Sequence, residues 1–229
     1  MVTKNQHIEF IVRRLEPETP NHSSIFFHRP AHFDFEAGDW MDIEFDGLRL
    51  KGGITYSMSS SPTEDDIRIT FREGLSDFKR ALQNVQPGER LHIVQYGNDY
   101  DFKLNMNQDS VLIAGGVGVA PFRSMLKQMY DNRLSNTVKL IYLNQNDDYL
   151  FKSELDEWSM LLPNLSVVYI PTKEIGRKKR EKVIRSMIKD TRQNFYISGP
   201  PGMVEANEHL LIDMGVAVRD IRIDSFGGY

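Results

Sequence analysis

Residues 115–121, Gly-Gly-Val-Gly-Val-Ala-Pro, follow the apolar run Val111–Ala114 and precede a helix-like stretch. A strand, a glycine turn and a helix start form the arrangement in which backbone amides approach a phosphate group. Gly116 and Gly118 suit that task because a side chain would hold a pyrophosphate off the backbone. The spacing is G-x-G-x-x-P, with Pro121 where the usual dinucleotide fingerprint has its third glycine; proline fits a first helical turn, where its missing N–H costs nothing. An ordinary strand-to-helix turn is the plain alternative. A second apolar strand, Asn194–Ile197, ends in Ser198-Gly199-Pro200-Pro201-Gly202-Met203. A methionine after such a turn more often packs than acts, so Met203 is read with that weight.

Upstream, Thr55-Tyr56-Ser57 places an aromatic ring between hydroxyls at a strand end. Tyr56 could stack on a flat ring while Ser57 bonds to the ring's polar edge; an edge-strand Tyr and a turn Ser read equally well from the same residues. Further on, Arg72, Ser76 and Lys79 flank a helix start. A lysine there opposes the helix macrodipole unless an anion is held nearby. Two ordinary surface cations are the alternative. The last residues, Asp224-Ser-Phe226-Gly-Gly-Tyr229, carry two aromatics on a glycine-flexed tail, where Phe226 and Tyr229 compete as docking residues.

The elements that must position these residues fall into two rhythms. Up to about residue 107 the chain shows short strand-like segments at His7–Arg14, Ser24–His28, Trp40–Phe45, Arg49–Lys51, Thr55–Ser59, Ile67–Arg72 and Arg90–Gln95. Breakers at Pro20-Asn21, Gly38-Asp39, Ser61-Pro62 and Pro87-Gly88 separate them, which predicts an antiparallel β-barrel. One helix is expected over Ser76–Asn84. From 108 on, strands at Val111–Ala114, Val138–Leu143, Leu165–Ile170 and Asn194–Ser198 alternate with helices at 121–131, 151–161, 178–189 and 203–214. That alternation predicts a parallel-sheet α/β domain. The expected domains are therefore 1–107 and 108–229, meeting at the polar stretch Asn105–Gln108.

Composition narrows the chemistry. The chain has 229 residues, 40% hydrophobic and 26% charged, with a net charge of −4. An acidic balance argues against nucleic acid as a partner. No apolar run approaches the roughly 20 residues needed to span a bilayer, and no signal pattern opens the chain, so a cytoplasmic location is expected. There are no cysteines. These residues therefore cannot supply thiolates for an iron–sulfur cluster, a disulfide or a cysteine nucleophile. No metal site is called for. The run Arg177-Lys-Lys-Arg180 reads first as a solvated helix start.

Taken in order, the four blocks around Tyr56, Gly116, Ser198 and Phe226 resemble the ferredoxin–NADP reductase superfamily of flavoprotein reductases, over nearly the whole chain. The resemblance implies that Tyr56 and Ser57 match its Arg-x-Tyr-Ser/Thr motif, with the tyrosine stacking on FAD and the hydroxyl near the flavin's reactive nitrogen. Thr55 lies in the same block. Ile54 occupies the arginine's place, and that arginine normally neutralises the flavin phosphate. Ser76-Asp77-Phe78-Lys79 resemble the family's second flavin element, which makes Lys79 with Arg72 the candidates for the missing charge. Gly97 and Phe102 are all that remain of a Gly-Pro-x-Gly-x-Phe block, and no role is carried to them. Gly116, Gly118 and Pro121 match the nicotinamide-nucleotide turn, and Ser198-Gly199-Pro200 with Met203 match a turn beneath the nicotinamide. Phe226 matches a terminal aromatic that covers the flavin.

The implied activity is an NAD(P)H-dependent flavoprotein reductase, with FAD receiving hydride and a separate carrier (ferredoxin, flavodoxin, an oxygenase component, a haem protein) or free flavin taking the electrons. Gln145 stands where NADPH-selective relatives show arginine, which favours NADH, although Arg177 lies after the next strand. Two alternatives share these residues: a reductase that binds flavin loosely and releases it as product, and a non-enzymatic redox-sensing nucleotide binder.

Overall fold

The computed structural model describes residues 2–45 and 54–226, with side chains from residue 8 onward. The expected strand Arg49–Lys51 and Tyr229 lie outside the described residues. The chain divides into two compact units, one holding the residues up to Lys103 together with Ala120–Asp131, the other Leu104–Val119 with the residues from Asn132.

In the first unit, β1 (Val2–Thr19), β2 (His22–His28), β3 (Trp40–Glu44), β4 (Ile54–Ser57), β5 (Asp66–Arg72) and β6 (Arg90–Asn98) form one antiparallel sheet in the order β4-β3-β6-β1-β2-β5. β1 pairs with β6 along one stretch and with β2 along the next, and its register shifts there bend it between partners. Alternation places Phe10, Ile25, Phe27, Met41, Ile43, Ile67, Ile69 and Phe71 in one core. Burying each such side chain stabilises the fold by roughly 1.5–3 kcal/mol. The sheet's end strands, β4 and β5, meet at a single bridge, Met58↔Ile69. Beyond it no ladder joins them among the described residues, so the barrel has a seam. The short helix α1 (Asp77–Gln83) follows β5 and buries Phe78 and Leu82, the pair spaced at i, i+4 in the sequence.

The second unit is a five-stranded parallel sheet of β7 (Ser110–Gly115), β8 (Val138–Asn144), β9 (Leu165–Pro171), β10 (Asn194–Gly199) and β11 (Ile221–Ser225), ordered β11-β10-β7-β8-β9. The chain runs outward from β7 to β9, then returns to add β10 and β11 on the other side. The order thus reverses between β7 and β10, a switch point whose carboxyl end is the usual ligand crevice of such sheets. Every residue of β7 and β10 is buried, as continuous apolar runs in central parallel strands require. Helices α3 (Lys152–Leu161), α4 (Arg177–Met187) and α5 (Pro201–Asp213) complete the crossovers. β11 is an element that the sequence reading did not separate from the tail.

Helix α2 (Val119–Asn132) leaves the glycine turn, and its body clusters with the first unit. Residues 118–126 are all buried, Arg123 and Ser124 included. The helix expected at 121–131 is thus buried all round over its first two turns.

Candidate functional site

β4 sets the first group of residues. Its partners on β3 are Ile43 for Ile54, Asp42 for Thr55, Met41 for Tyr56 and Trp40 for Ser57. Alternation turns Ile54 and Tyr56 towards the barrel core, against which both pack half-buried. Ile54 is therefore apolar because it completes the core's edge. The Tyr56 ring lies 6.3 Å from Phe78 at an interplanar angle of 13°, and 6.4 Å from Phe71 edge-on. Tyr56 thus stands at the seam between β4 and β5. The Thr55 hydroxyl donates to Asp42, whose other oxygen accepts from Gln95. Thr55 accordingly anchors β4 on β3.

At the far end of β5, Arg72 is exposed, and Lys79 lies in the first turn of α1. The Lys79 stem runs over Gly74, where an added Cβ would fall 2.6 Å from Lys79 Cδ. Burial, and then the neighbouring charge of Arg72, hold the Lys79 ammonium below its ordinary pKa. Among the described residues no carboxylate pairs with either cation. Ser76 caps α1 by accepting from the Lys79 amide at 3.4 Å. Two adjacent cations without a counter-ion are an electrostatic cost that a bound anion removes.

The second group surrounds the switch point. Gly116 adopts φ +55°, and an added Cβ there would meet only Asn144 Oδ1, at 3.9 Å. Its surroundings are open. Gly118 is different: an added Cβ would lie 2.3 Å from the Ser198 carbonyl oxygen and 2.8 Å from Gly199 Cα. The absence of a side chain at Gly118 lets the β7 and β10 turns touch backbone to backbone. Gly118 thus has a packing reason to lack a side chain, whereas the space beside Gly116 is open. Gly115 and Gly199 both approach the Met203 methyl, which a Cβ would reach at 2.5 and 2.4 Å. Met203 packs across this glycine pair, and Asn207 donates to its carbonyl and its sulfur. Pro200 caps α5, and Pro121 occupies the buried first turn of α2.

Ser198 is fully buried, and its hydroxyl donates to Asp224 at 3.2 Å. β11 runs parallel to β10 with Ser198 opposite Asp224, and just beyond, the Phe226 amide donates to the Gly199 carbonyl at 3.3 Å. The tail backbone is thereby fastened to the β10 turn, and Phe226 is half-buried. Sequence reasoning missed Asp224 as the fixer of Ser198; its signal was the alternation of Ile221, Ile223 and Asp224 along an edge strand. It also missed Asn144, which ends β8 beside Gly116 and whose amide donates to Asn146 and Asp148. Gln145 is exposed, and Arg177 pairs with Glu181 at 2.9 Å one helical turn on.

Elsewhere in the first unit an open cavity of about 740 Å³ lies among Asp34–Glu36, Tyr96–Asp101 and Lys103. None of the expected cofactor-holding residues lines it. Among the described residues no group of His, Cys, Asp or Glu could hold a metal ion, and no helix is long and apolar enough to cross a membrane.

Residues 112–209 match the oxidoreductase NAD-binding domain family. Flavohemoprotein A of Dictyostelium discoideum is 28% identical over 96% of the chain, which spans 60% of that relative. The chain covers about three-fifths of the length of the flavohemoproteins of Bacillus subtilis, Dictyostelium discoideum and Rhizobium meliloti. Among solved structures, ferredoxin-NADP+ reductase from Plasmodium falciparum superposes with a TM-score of 0.81 at 16% identity, covering 96% of each chain. A ferredoxin NADP+ reductase from Neisseria gonorrhoeae with bound FAD and NADP superposes with a TM-score of 0.79 at 21% identity, over 97% of this chain and 99% of that one.

Proposed function

We propose that the chain belongs to the ferredoxin–NADP reductase superfamily and is an FAD-dependent NAD(P)H oxidoreductase that hands electrons to a separate acceptor, a reading supported by its match to the oxidoreductase NAD-binding domain family and by its fold. The flavin-binding part is assigned to the unit of residues up to Lys103 with Ala120–Asp131 and the nicotinamide-nucleotide part to Leu104–Val119 with the residues from Asn132, in place of the expected 1–107 and 108–229, because most of α2 clusters with the barrel. The observation that carries the reading is the Arg72–Lys79 pair, which no carboxylate joins among the described residues, beside the Tyr56 seam. It supplies a place for a phosphate next to a place for a flat ring. The open turn at Gly116 fits the second nucleotide.

When bound, the two cofactors supply hydride transfer from nicotinamide to the flavin N5. The chain supplies binding and orientation. Tyr56 offers an aromatic face at the seam and Ser57 a hydroxyl at its end. Arg72 and Lys79 neutralise phosphate, and the Ser76 cap orders the helix start that carries Lys79. Gly116 admits the nucleotide phosphates, while Gly118, Gly199 and Met203 hold the two turns together. Ser198, oriented by Asp224, presents a fixed hydroxyl to the nicotinamide, with Pro200 shaping the turn. Phe226 covers the flavin face. A modest preference for NADH is proposed because Gln145 brings no positive charge, while Arg177 makes an exposed surface pair with Glu181.

The purified protein should show a flavin spectrum that bleaches on anaerobic addition of NADH, and FAD should be released on denaturation. A second reading is favoured by Ile54, whose packing leaves no cation at that place: a reductase that uses flavin as a dissociable substrate. Colourless protein that oxidises NADH only with added flavin supports this second reading. Absence of turnover with either overturns both.

A further inference from the structure

The segment from Lys173 to Lys189 holds eight lysines and arginines against two carboxylates, Glu174 and Glu181, in a chain whose net charge is −4. Most of it is α4 (Arg177–Met187), and burial divides that helix. Ile184 is enclosed, while Val183 and Met187 pack half-buried against the core of the second unit. Lys178, Lys182 and Arg185 recur at i, i+4 and i+7 and so share one face. All three are exposed, as are Lys173, Lys179 and Lys189. Among the described residues the segment's one cation with an ion-pair partner is Arg177, which meets Glu181 at 2.9 Å. Elsewhere, by contrast, Arg13 and Arg14 share Asp66, Arg90 meets Glu9, and Lys152 meets Asp156.

This arrangement opposes the helix that carries it. Lys178 and Lys182 are like charges one turn apart, which destabilises a helix. No acidic residue stands in the first turn, where Arg177, Lys178 and Lys179 oppose the macrodipole. A surface of negative charge removes both costs. The kind of surface follows from what the patch lacks. Protein interfaces are anchored by aromatic or apolar side chains seated in pockets. No large hydrophobic side chain is exposed between 173 and 189, because Ile175, Val183 and Met187 are packed against the core. Charge without an anchor suits a diffuse layer of lipid headgroups, which attracts clusters of about four to eight cations. We propose that α4, through Lys178, Lys182 and Arg185 with the flanking lysines, docks on an anionic lipid surface. The contact is peripheral: the apolar side of α4 is committed to the core, and no described helix is long and apolar enough to cross a membrane.

The test is co-sedimentation of the purified protein with vesicles of phosphatidylcholine alone or mixed with phosphatidylserine, at about 0.15 M salt, where charges act over about 8 Å. Wild type should pellet with the mixed vesicles and not with phosphatidylcholine, and raising the salt should release it. Each cation near such a surface contributes about a fivefold factor in partitioning. The triple variant Lys178→Gln, Lys182→Gln, Arg185→Gln should therefore bind about a hundredfold more weakly. Its melting temperature should be unchanged or raised, because like charges have been removed. A control with the same change in net charge, Arg13→Gln, Arg90→Gln, Lys152→Gln, should bind as wild type does. Should the α4 triple variant not fold, Lys182→Gln alone, expected to lose about fivefold, decides in its place. Equal losses in the two triple variants would make the attraction one of net charge and overturn the proposal. Wild type that ignores the mixed vesicles, or an α4 variant that binds them unchanged, would overturn it as well. So would capture by duplex DNA or polyglutamate without binding to lipid. Release by inorganic phosphate beyond that produced by chloride of equal ionic strength would show a site for a single anion, and a docking surface would be overturned.

Discussion

Gly116 and Gly118 are two residues apart and identical in chemistry, yet the structure gives them separate tasks. A side chain at Gly118 must displace backbone of the β10 turn, so Gly118→Ala should destabilise the second unit by roughly 1–3 kcal/mol, as overpacking does. Gly116 has a left-handed φ, which asparagine tolerates, and open space beyond it. Gly116→Asn should keep the melting temperature and raise the KM for NADH. Equal loss of stability in both variants would show that neither glycine is reserved for ligand. Lys79 is legible in the sequence only as a cation in an awkward place; its value comes from Arg72 beside it. Lys79→Ala should weaken flavin retention by about tenfold or more, since a charge-assisted phosphate contact is worth roughly 1.5–3 kcal/mol. The pH dependence follows from the sign. Burial and Arg72 depress the Lys79 pKa in the free protein, and a bound phosphate raises it again. Flavin affinity should therefore fall as pH rises through the Lys79 pKa, and this alkaline loss should be absent from Lys79→Ala when flavin dissociation is followed by fluorescence.

Most elements were legible because their patterns are strong. The central strands β7 and β10 are unbroken apolar runs, and burial on both faces is what such runs encode. β11 was not legible. Its five residues alternate Ile, Arg, Ile, Asp, Ser at a half-exposed edge, and nothing local separates that from a tail. Arg123 and Ser124 drew no reading from the sequence, and only packing reveals that both are enclosed. Ile54 was expected to mark a missing phosphate ligand, to be repaired by an arginine. Its place at the edge of the core means Ile54→Arg removes buried apolar surface while adding charge. That variant should lose thermal stability, with any gain in flavin retention offset accordingly. The tail shows the same dependence on context. With the Phe226 amide bonded to Gly199, β11 delivers its aromatic to the end of the β10 turn. Phe226→Ala should perturb the flavin spectrum and the KM for NADH more than the melting temperature. A wild-type spectrum and wild-type kinetics in that variant would leave Phe226 as plain packing.

At the scale of the whole molecule, the sequence's change of rhythm near residue 107 and its two glycine turns were enough to read a β-barrel followed by a parallel α/β sheet. The placing of α2 with the barrel was not readable, because its contacts are with residues about sixty positions earlier in the chain. Composition adds a constraint on electron flow that no single site contains. The 229 residues include no cysteine, and the described residues hold no cluster of metal-ligating side chains. These 229 residues cannot supply a thiolate-ligated relay centre, so under the proposed reductase activity the electron pair would leave from the flavin. Anaerobic titration of the flavin-loaded protein with NADH should then reach its end point at about one donor per flavin, since the two-electron capacity is the cofactor's own. Reoxidation should follow on adding a one-electron acceptor in about twofold excess over flavin. An end point well beyond one equivalent would reveal a second redox centre and contradict an electron path that ends at the flavin.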